Sequence, residues 1–232
     1  MSRTEAGAAV WVVVPAAGRG QRFGAGLPKQ YSQLAGRALI EHTLTTLLAE
    51  PRVVGVVVAL ATDDAHWQQL GIASDPRVRT VTGGGERHLS VLRGLQAVPA
   101  AGDPWVAVHD AARPCLAASD LARLFDALDE SGDGCILATP AADTLKQVDD
   151  AGQVMCTLAR EGIWQAQTPQ VFRRGQLLAA LQASEAGDFV PTDEATAVER
   201  AGGRVQVIGA RAPNPKITTR MDLQLAEALL RH

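Results

Sequence analysis

A three-layer α/β fold with a mainly parallel central sheet is the architecture this sequence predicts. Short β-rich apolar runs alternate with amphipathic stretches along the chain. Several of those runs are apolar at consecutive rather than alternate positions, as expected for strands covered on both faces. The 232 residues, 47% of them hydrophobic, suffice for one full core.

Strands are expected at 10–15 (VWVVVP), 53–60 (VVGVVVAL), 77–82 (RVRTVT), 105–109 (WVAVH), 134–139 (GCILAT) and 204–208 (RVQVI). Between them, 38–50 carries one stripe of Leu39, Ile40, Thr43, Leu44, Leu47 and Leu48, and 86–98 carries Leu89, Val91, Leu92 and Leu95. Ser119 suits the cap of a helix over 120–129, and further helices fit 174–184, 192–201 and 219–230. The last presents Leu223, Leu225, Leu229 and Leu230. One segment breaks the rhythm: 143–158 reads as two extended stretches around the turn Asp149-Asp150-Ala151-Gly152. A two-stranded ribbon is marginal alone, so it lies on the body or clasps another subunit.

Composition narrows the chemistry. With 22 basic and 25 acidic residues the formal charge is −3, which argues against a general nucleic-acid binder. Cys115, Cys135 and Cys156 form no CxxC pair or metal spacing and read as reduced thiols. The apolar stretch 8–17 is too short to span a bilayer and lacks the flanks of a signal peptide. A cytoplasmic protein without membrane contact is expected.

In open parallel sheets ligands bind beyond the carboxyl ends of the strands. Three expected strands end there in unusual residues. The first runs into PAAGRGQRFGAGLPKQ, whose glycines permit close approach of backbone N–H groups to an anion. Arg22 can fork onto phosphate oxygens and Lys29 acts as a point charge. It is neither a Walker A loop nor a complete GxGxxG, and taken alone it also reads as a surface loop with solvated charges. The third runs into TGGGER, where free N–H groups precede a helix start and Ser90 faces back from one turn in. The fourth runs into HDAARP, where Asp110 suits Mg²⁺, the usual companion of a nucleoside triphosphate, and Arg113 suits phosphate. Asp110 and Arg113 can equally pair with each other, and His109 reads as structural. No GxSxG elbow, no HExxH and no histidine cluster points to another chemistry.

These segments, with DTLKQ, GIWQAQTPQ, TDEATAVE and NPKIT, occur in the order found in 2-C-methyl-D-erythritol 4-phosphate cytidylyltransferases, which the chain resembles over about residues 10 to 230. The resemblance implies a Rossmann-like nucleotidyltransferase fold, a single domain over 1–232, and a protruding β-hairpin arm at 141–161 exchanged in a homodimer. It implies a reaction of CTP with 2-C-methyl-D-erythritol 4-phosphate, aided by Mg²⁺ or another divalent cation, in non-mevalonate isoprenoid biosynthesis. Arg22, Lys29 and Lys216 would be the catalytic cations. Pro15, Ala16, Ala17, Gly18, Gly84, Gly85, Ser90 and Ala111 would hold the nucleotide. Asp110, Arg113, Thr144, Arg160, Thr168 and Thr192 would hold the acceptor, Thr144 and Arg160 serving the partner's site, with Asp110 also near the metal. Thr192 equally suits a plain helix N-cap. Gly85 stands where many relatives carry an acidic residue: base reading through the backbone tolerates that change, whereas reading through the carboxylate does not. A relative acting on another polyol phosphate, such as ribitol 5-phosphate, shares most of these motifs, and a non-catalytic nucleotide-binding module is the reading from another class.

Overall fold

The computed structural model describes residues 8–18, 27–187 and 189–231. In chain order it runs β1 (Val10–Ala16), the small ribbon β2 (Gln33–Leu34) and β3 (Arg37–Ala38), α1 (Leu39–Ala49), β4 (Val53–Leu60) and β5 (Val78–Thr82). There follow α2 (Arg87–Ala97), β6 (Trp105–Val108), α3 (Ala118–Asp126), β7 (Gly134–Pro140), and a second ribbon of β8 (Leu145–Val148) and β9 (Val154–Leu158). The chain closes with β10 (Trp164–Arg173), α4 (Arg174–Ala186), α5 (Glu194–Arg200), β11 (Val205–Gly209) and α6 (Arg220–Leu230).

Seven strands form one sheet in the order β11-β7-β10-β6-β1-β4-β5. Six run parallel, and β10 alone is reversed, pairing antiparallel with both β6 and β7. Strand pleating separates the core into two layers. Val12 and Val14 of β1 face one cluster, with Ile40, Leu44 and Leu47 of α1 and Leu121, Leu124 and Phe125 of α3. Val13 faces the other, with Val91 and Leu95 of α2 and Leu177 and Leu181 of α4. Gly94 lets α2 lie directly on the sheet, since a Cβ there would stand 2.4 Å from Val13 Cγ1.

Most expected elements appear within a residue or two, but four expectations change. The reversed strand β10 was not expected; it fills the gap between the two parallel halves. Ser119 is not the cap of α3, which begins at Ala118 after Ala117; the first-turn acid Asp120 instead accepts hydrogen bonds from Arg211 N and Ala212 N and ties that helix to the loop after β11. Thr192 is not the cap of α5: Asp193 is, its carboxylate accepting from Thr196 N at 2.9 Å. On α6, Leu225 and Leu230 are exposed, and contact with the body runs through Leu223 and Ala226.

The β8–β9 ribbon turns at Asp149–Gly152 as expected, with Asp149 Oδ1 accepting from Ala151 N and Gln153 N. It stands off the sheet and exposes Val148, Val154, Met155 and Leu158.

Candidate active site

The strands β1, β5 and β6 end on one side of the sheet, and their following turns enclose an open cleft of about 240 Å³. Its walls bring together Pro15, Ala16, Ala17 and Gly18 from the first turn with Gly84, Gly85 and Ser90 from the second. Asp110, Ala111 and Ala112 come from the third, and Lys29, Gln30, Glu86, Arg87 and Lys216 complete the lining. Residues far apart in sequence thus meet because neighbouring parallel strands present their ends together.

Three tethers shape the wall built from the first two turns. Buried Gln30 donates through Nε2 to Ala16 O at 2.7 Å, pinning the end of β1 to the short 3₁₀ turn Lys29–Tyr31. Gly83 N donates to Leu60 O at 2.7 Å, and Gly84 N to Ser90 Oγ at 3.0 Å. Those two donors are therefore engaged in holding the turn, contrary to the expectation that its N–H groups stand free. Gly84 sits so close to α2 that a Cβ would lie 2.3 Å from Leu89 Cβ, whereas Gly85 faces open space.

The floor is a charge network around Asp110, itself buried. Its Oδ1 accepts from Arg87 Nε at 2.9 Å and its Oδ2 from Lys216 Nζ at 2.8 Å, with Arg113 Nε at 3.7 Å. Burial opposes the carboxylate charge, but the Arg87 and Lys216 cations outweigh it and hold Asp110 well below the usual carboxylate range. Arg87 is loaded from both sides: burial disfavours its charge, yet Glu194 and Asp110 together raise its pKa. Burial moves Arg113 the other way, with Asp110 offsetting part of the shift. Lys29 Nζ donates to Ile217 O at 2.6 Å, so the first turn and the segment carrying Lys216 are joined across 188 residues of sequence.

His109 is a structural residue, as its sequence context suggests. Thr168 Oγ1 accepts from Asp110 N at 3.0 Å and therefore turns its own proton toward His109 Nδ1, 3.0 Å away. That leaves Nε2 to donate to Arg113 O at 3.2 Å. Burial pushes the imidazole down to about 4, so it is neutral at physiological pH.

A model of the 2-C-methyl-D-erythritol 4-phosphate cytidylyltransferase family matches residues 10–232. The chain belongs to that family. It is 52% identical over 216 residues to 2-C-methyl-D-erythritol 4-phosphate cytidylyltransferase of Ectopseudomonas mendocina, covering 92% of each chain. It is 48% identical over 219 residues to the enzyme of that name from Pseudomonas putida, covering 93% of each. The crystal structure of the Francisella tularensis cytidylyltransferase superposes with a TM-score of 0.83 at 35% identity, over 95% of this chain and 99% of that one. Cytidylyltransferases are nucleotidyltransferases, and the α/β sheet described above is the fold of the family's solved members.

Not every residue that the family resemblance singles out reaches the cleft. Arg113 and Thr168 stand just behind its floor, Arg113 donating to Asn214 O at 2.6 Å. Thr144 and Arg160 lie exposed at the base of the ribbon, where Arg160 donates to Ala142 O, and Thr192 is exposed beside the start of α5. Arg22 lies outside the described residues. Two members of the network, Arg87 and Glu194, were not singled out. Arg87 left one trace in the sequence: a cation at the first position of a helix opposes the helix dipole and needs a local reason. Glu194 left none, because an acid in a first helical turn is what the dipole favours anyway.

Proposed function

We propose that the chain transfers the cytidylyl group of CTP to the phosphate of 2-C-methyl-D-erythritol 4-phosphate, releasing pyrophosphate, as a step of non-mevalonate isoprenoid biosynthesis. The observation that carries this reading is the meeting of Lys29, Lys216 and Asp110 beside two glycine-bearing turns in one cleft. A phosphate oxygen of the acceptor attacks the α-phosphorus of CTP, forming a P–O bond as the bond to the bridging oxygen of pyrophosphate breaks. Charge accumulates around that phosphorus, so cations fixed in advance lower the barrier without any covalent enzyme intermediate. Lys29 and Lys216, which line the cleft, are assigned this role, and Arg22 is assigned the same role. The Gly84–Ser90 turn is assigned to the base, Ala16 to Gly18 to the ribose and phosphates, and Asp110, Arg113, Thr168 and Thr192 to the acceptor.

Magnesium fits this site in one specific way. Among the described residues no group of three or more His, Cys, Asp or Glu side chains builds a metal cage. Asp110, with two acceptor lone pairs per oxygen, would hold an ion that takes its other ligands from phosphates and water. Such an ion, when bound, neutralises triphosphate charge. The exposed ribbon, 141–161, is assigned as the arm of a homodimer, and its apolar Val148, Val154, Met155 and Leu158 supply surface for that contact. A cytoplasmic location accords with three free cysteines. Among the described residues no helix is long and apolar enough to cross a membrane.

Pyrophosphate release measured with each of CTP, UTP, ATP and GTP against methylerythritol phosphate and ribitol 5-phosphate tests the reading. The expected result is turnover confined to CTP with methylerythritol phosphate and abolished by EDTA. Faster release with ribitol 5-phosphate overturns the acceptor assignment.

A further inference from the structure

Arg87 is a half-buried cation on the wall of the cleft, held by two carboxylates that face it from different elements. Its Nη1 and Nη2 donate to Glu194 Oε1 and Oε2 at 2.6 and 3.0 Å, a bidentate pair, and its Nε donates to Asp110 Oδ1 at 2.9 Å. Glu194 is 1% exposed and does not line the cleft. Its place at the head of α5 is fixed from β10, where Gln170 Oε1 accepts from Ala195 N and Gln170 Nε2 donates to Asp193 Oδ2, both at 2.9 Å. With its far edge gripped by two oxygens of Glu194, the planar guanidinium has one direction left for Nε, and that direction is Asp110.

We propose that Glu194 is a positioning residue for the transfer reaction, acting through Arg87 to set the orientation of the Asp110 carboxylate. This rests on the cytidylyl-transfer reading. Asp110 must present Oδ2 to Lys216 and keep lone pairs toward the cleft. The network of Glu194, Arg87, Asp110, Lys216 and Arg113 carries two negative and three positive charges. Without the Glu194 charge, Arg87 keeps no second carboxylate to grip its far edge and turns its fork toward Asp110, in competition with Lys216. A purely structural ion pair joining α2 to α5 leads to a different expectation. Buried pairs add little net stability over apolar replacements of similar volume, so such a pair is replaceable without loss of turnover.

The test compares E194Q, R87M, the double variant R87M/E194Q, and the apolar pair R87M/E194M with the wild-type protein. Steady-state pyrophosphate release from CTP, methylerythritol phosphate and Mg²⁺ is measured at a temperature where the melting curves show each to be folded. For E194Q the expected result is a kcat lower by about tenfold or more, the range for residues that orient a site ligand, with both KM values within about threefold of wild type. The double variant R87M/E194Q is expected to be no slower than R87M, because Glu194 acts through Arg87. A kcat for E194Q within about twofold of wild type, or effects of the two substitutions that multiply, overturns the proposal. If E194Q does not fold, R87M/E194M decides: a recovered melting temperature with a kcat as low as that of R87M supports positioning, and recovery of both overturns it. A wild-type protein that releases no pyrophosphate refutes the transfer reading itself. An active wild type matched by its variants refutes only the role of Glu194.

Discussion

At the scale of single residues, the second glycine turn shows how space and hydrogen bonding divide the work. Gly84 is locked between Ser90 Oγ and Leu89, so a methyl group there must displace either the turn or α2. Overpacking of this kind costs about 1–3 kcal/mol. Gly84→Ala should therefore raise the KM for CTP by roughly 5- to 150-fold, the equivalent of that cost. Gly85→Ala meets open space and should leave KM within about twofold, by the same reasoning that surface substitutions cost little. Initial rates of pyrophosphate release against CTP concentration check both, and equal effects from the two substitutions would show that the turn moves as a unit. The residue types that made this site legible carry their purpose in type and place: glycines after a buried strand, a lysine closing the loop, an aspartate where a strand stops. Arg87 and Glu194 were less legible because their meaning lies in each other, 107 positions apart, and sequence order does not display such a pairing.

At the scale of elements, continuous apolar runs announced the parallel strands, because burial on both faces leaves no polar register to obscure them. Strand β10 is different. Gln165, Gln167 and Gln170 interrupt it, and Pro169 lacks the donor that a central strand ordinarily uses, so neither pattern nor propensity marks it. Its polar positions belong to the site: Thr168 supports Asp110, and Gln170 fixes the head of α5. The β8–β9 ribbon was legible through its turn, but a partner surface for it was not, because an exposed ribbon carries the same alternation whether or not it docks. The proposed exchange of the ribbon between subunits has a distinctive consequence. In a mixture of Lys216→Ala and Arg160→Ala proteins, a mixed dimer unites an intact body from one chain with an intact arm from the other. With random reassembly, half the dimers are mixed and each holds one complete site, so activity should return to roughly a quarter of wild type. Arms that serve their own bodies give no recovery. The assay is pyrophosphate release after joint denaturation and refolding.

At the scale of the whole molecule, the site depends on the C-terminal segment folding back over the first strand's exit. Ile217 is the pivot of that closure. Its side chain is fully buried with Leu34, Leu39 and Ala226, its N–H donates to Ala112 O at 2.8 Å, and its carbonyl receives Lys29 Nζ. One residue earlier, Lys216 reaches Asp110. The small apolar cluster thus stabilises the chain end and aims two cations, which couples global packing to the reaction. Removing a large buried side chain costs about 2–5 kcal/mol, so Ile217→Ala should lower the melting temperature by roughly 4–20 °C for a chain of this size. Because the cavity lies directly beneath Lys216 and the carbonyl that holds Lys29, kcat should fall about tenfold or more even where the variant is fully folded. Leu181→Ala, an equally buried truncation on α4 in the cluster across the sheet, is the control. It should lower the melting temperature comparably and leave kcat within about twofold, since no cation of the cleft is carried by that helix. Melting curves and steady-state rates on both variants separate the outcomes. Equal losses of kcat would mean that the cleft responds to stability alone, and the closure by Ile217 would then have no special part in aligning the cations.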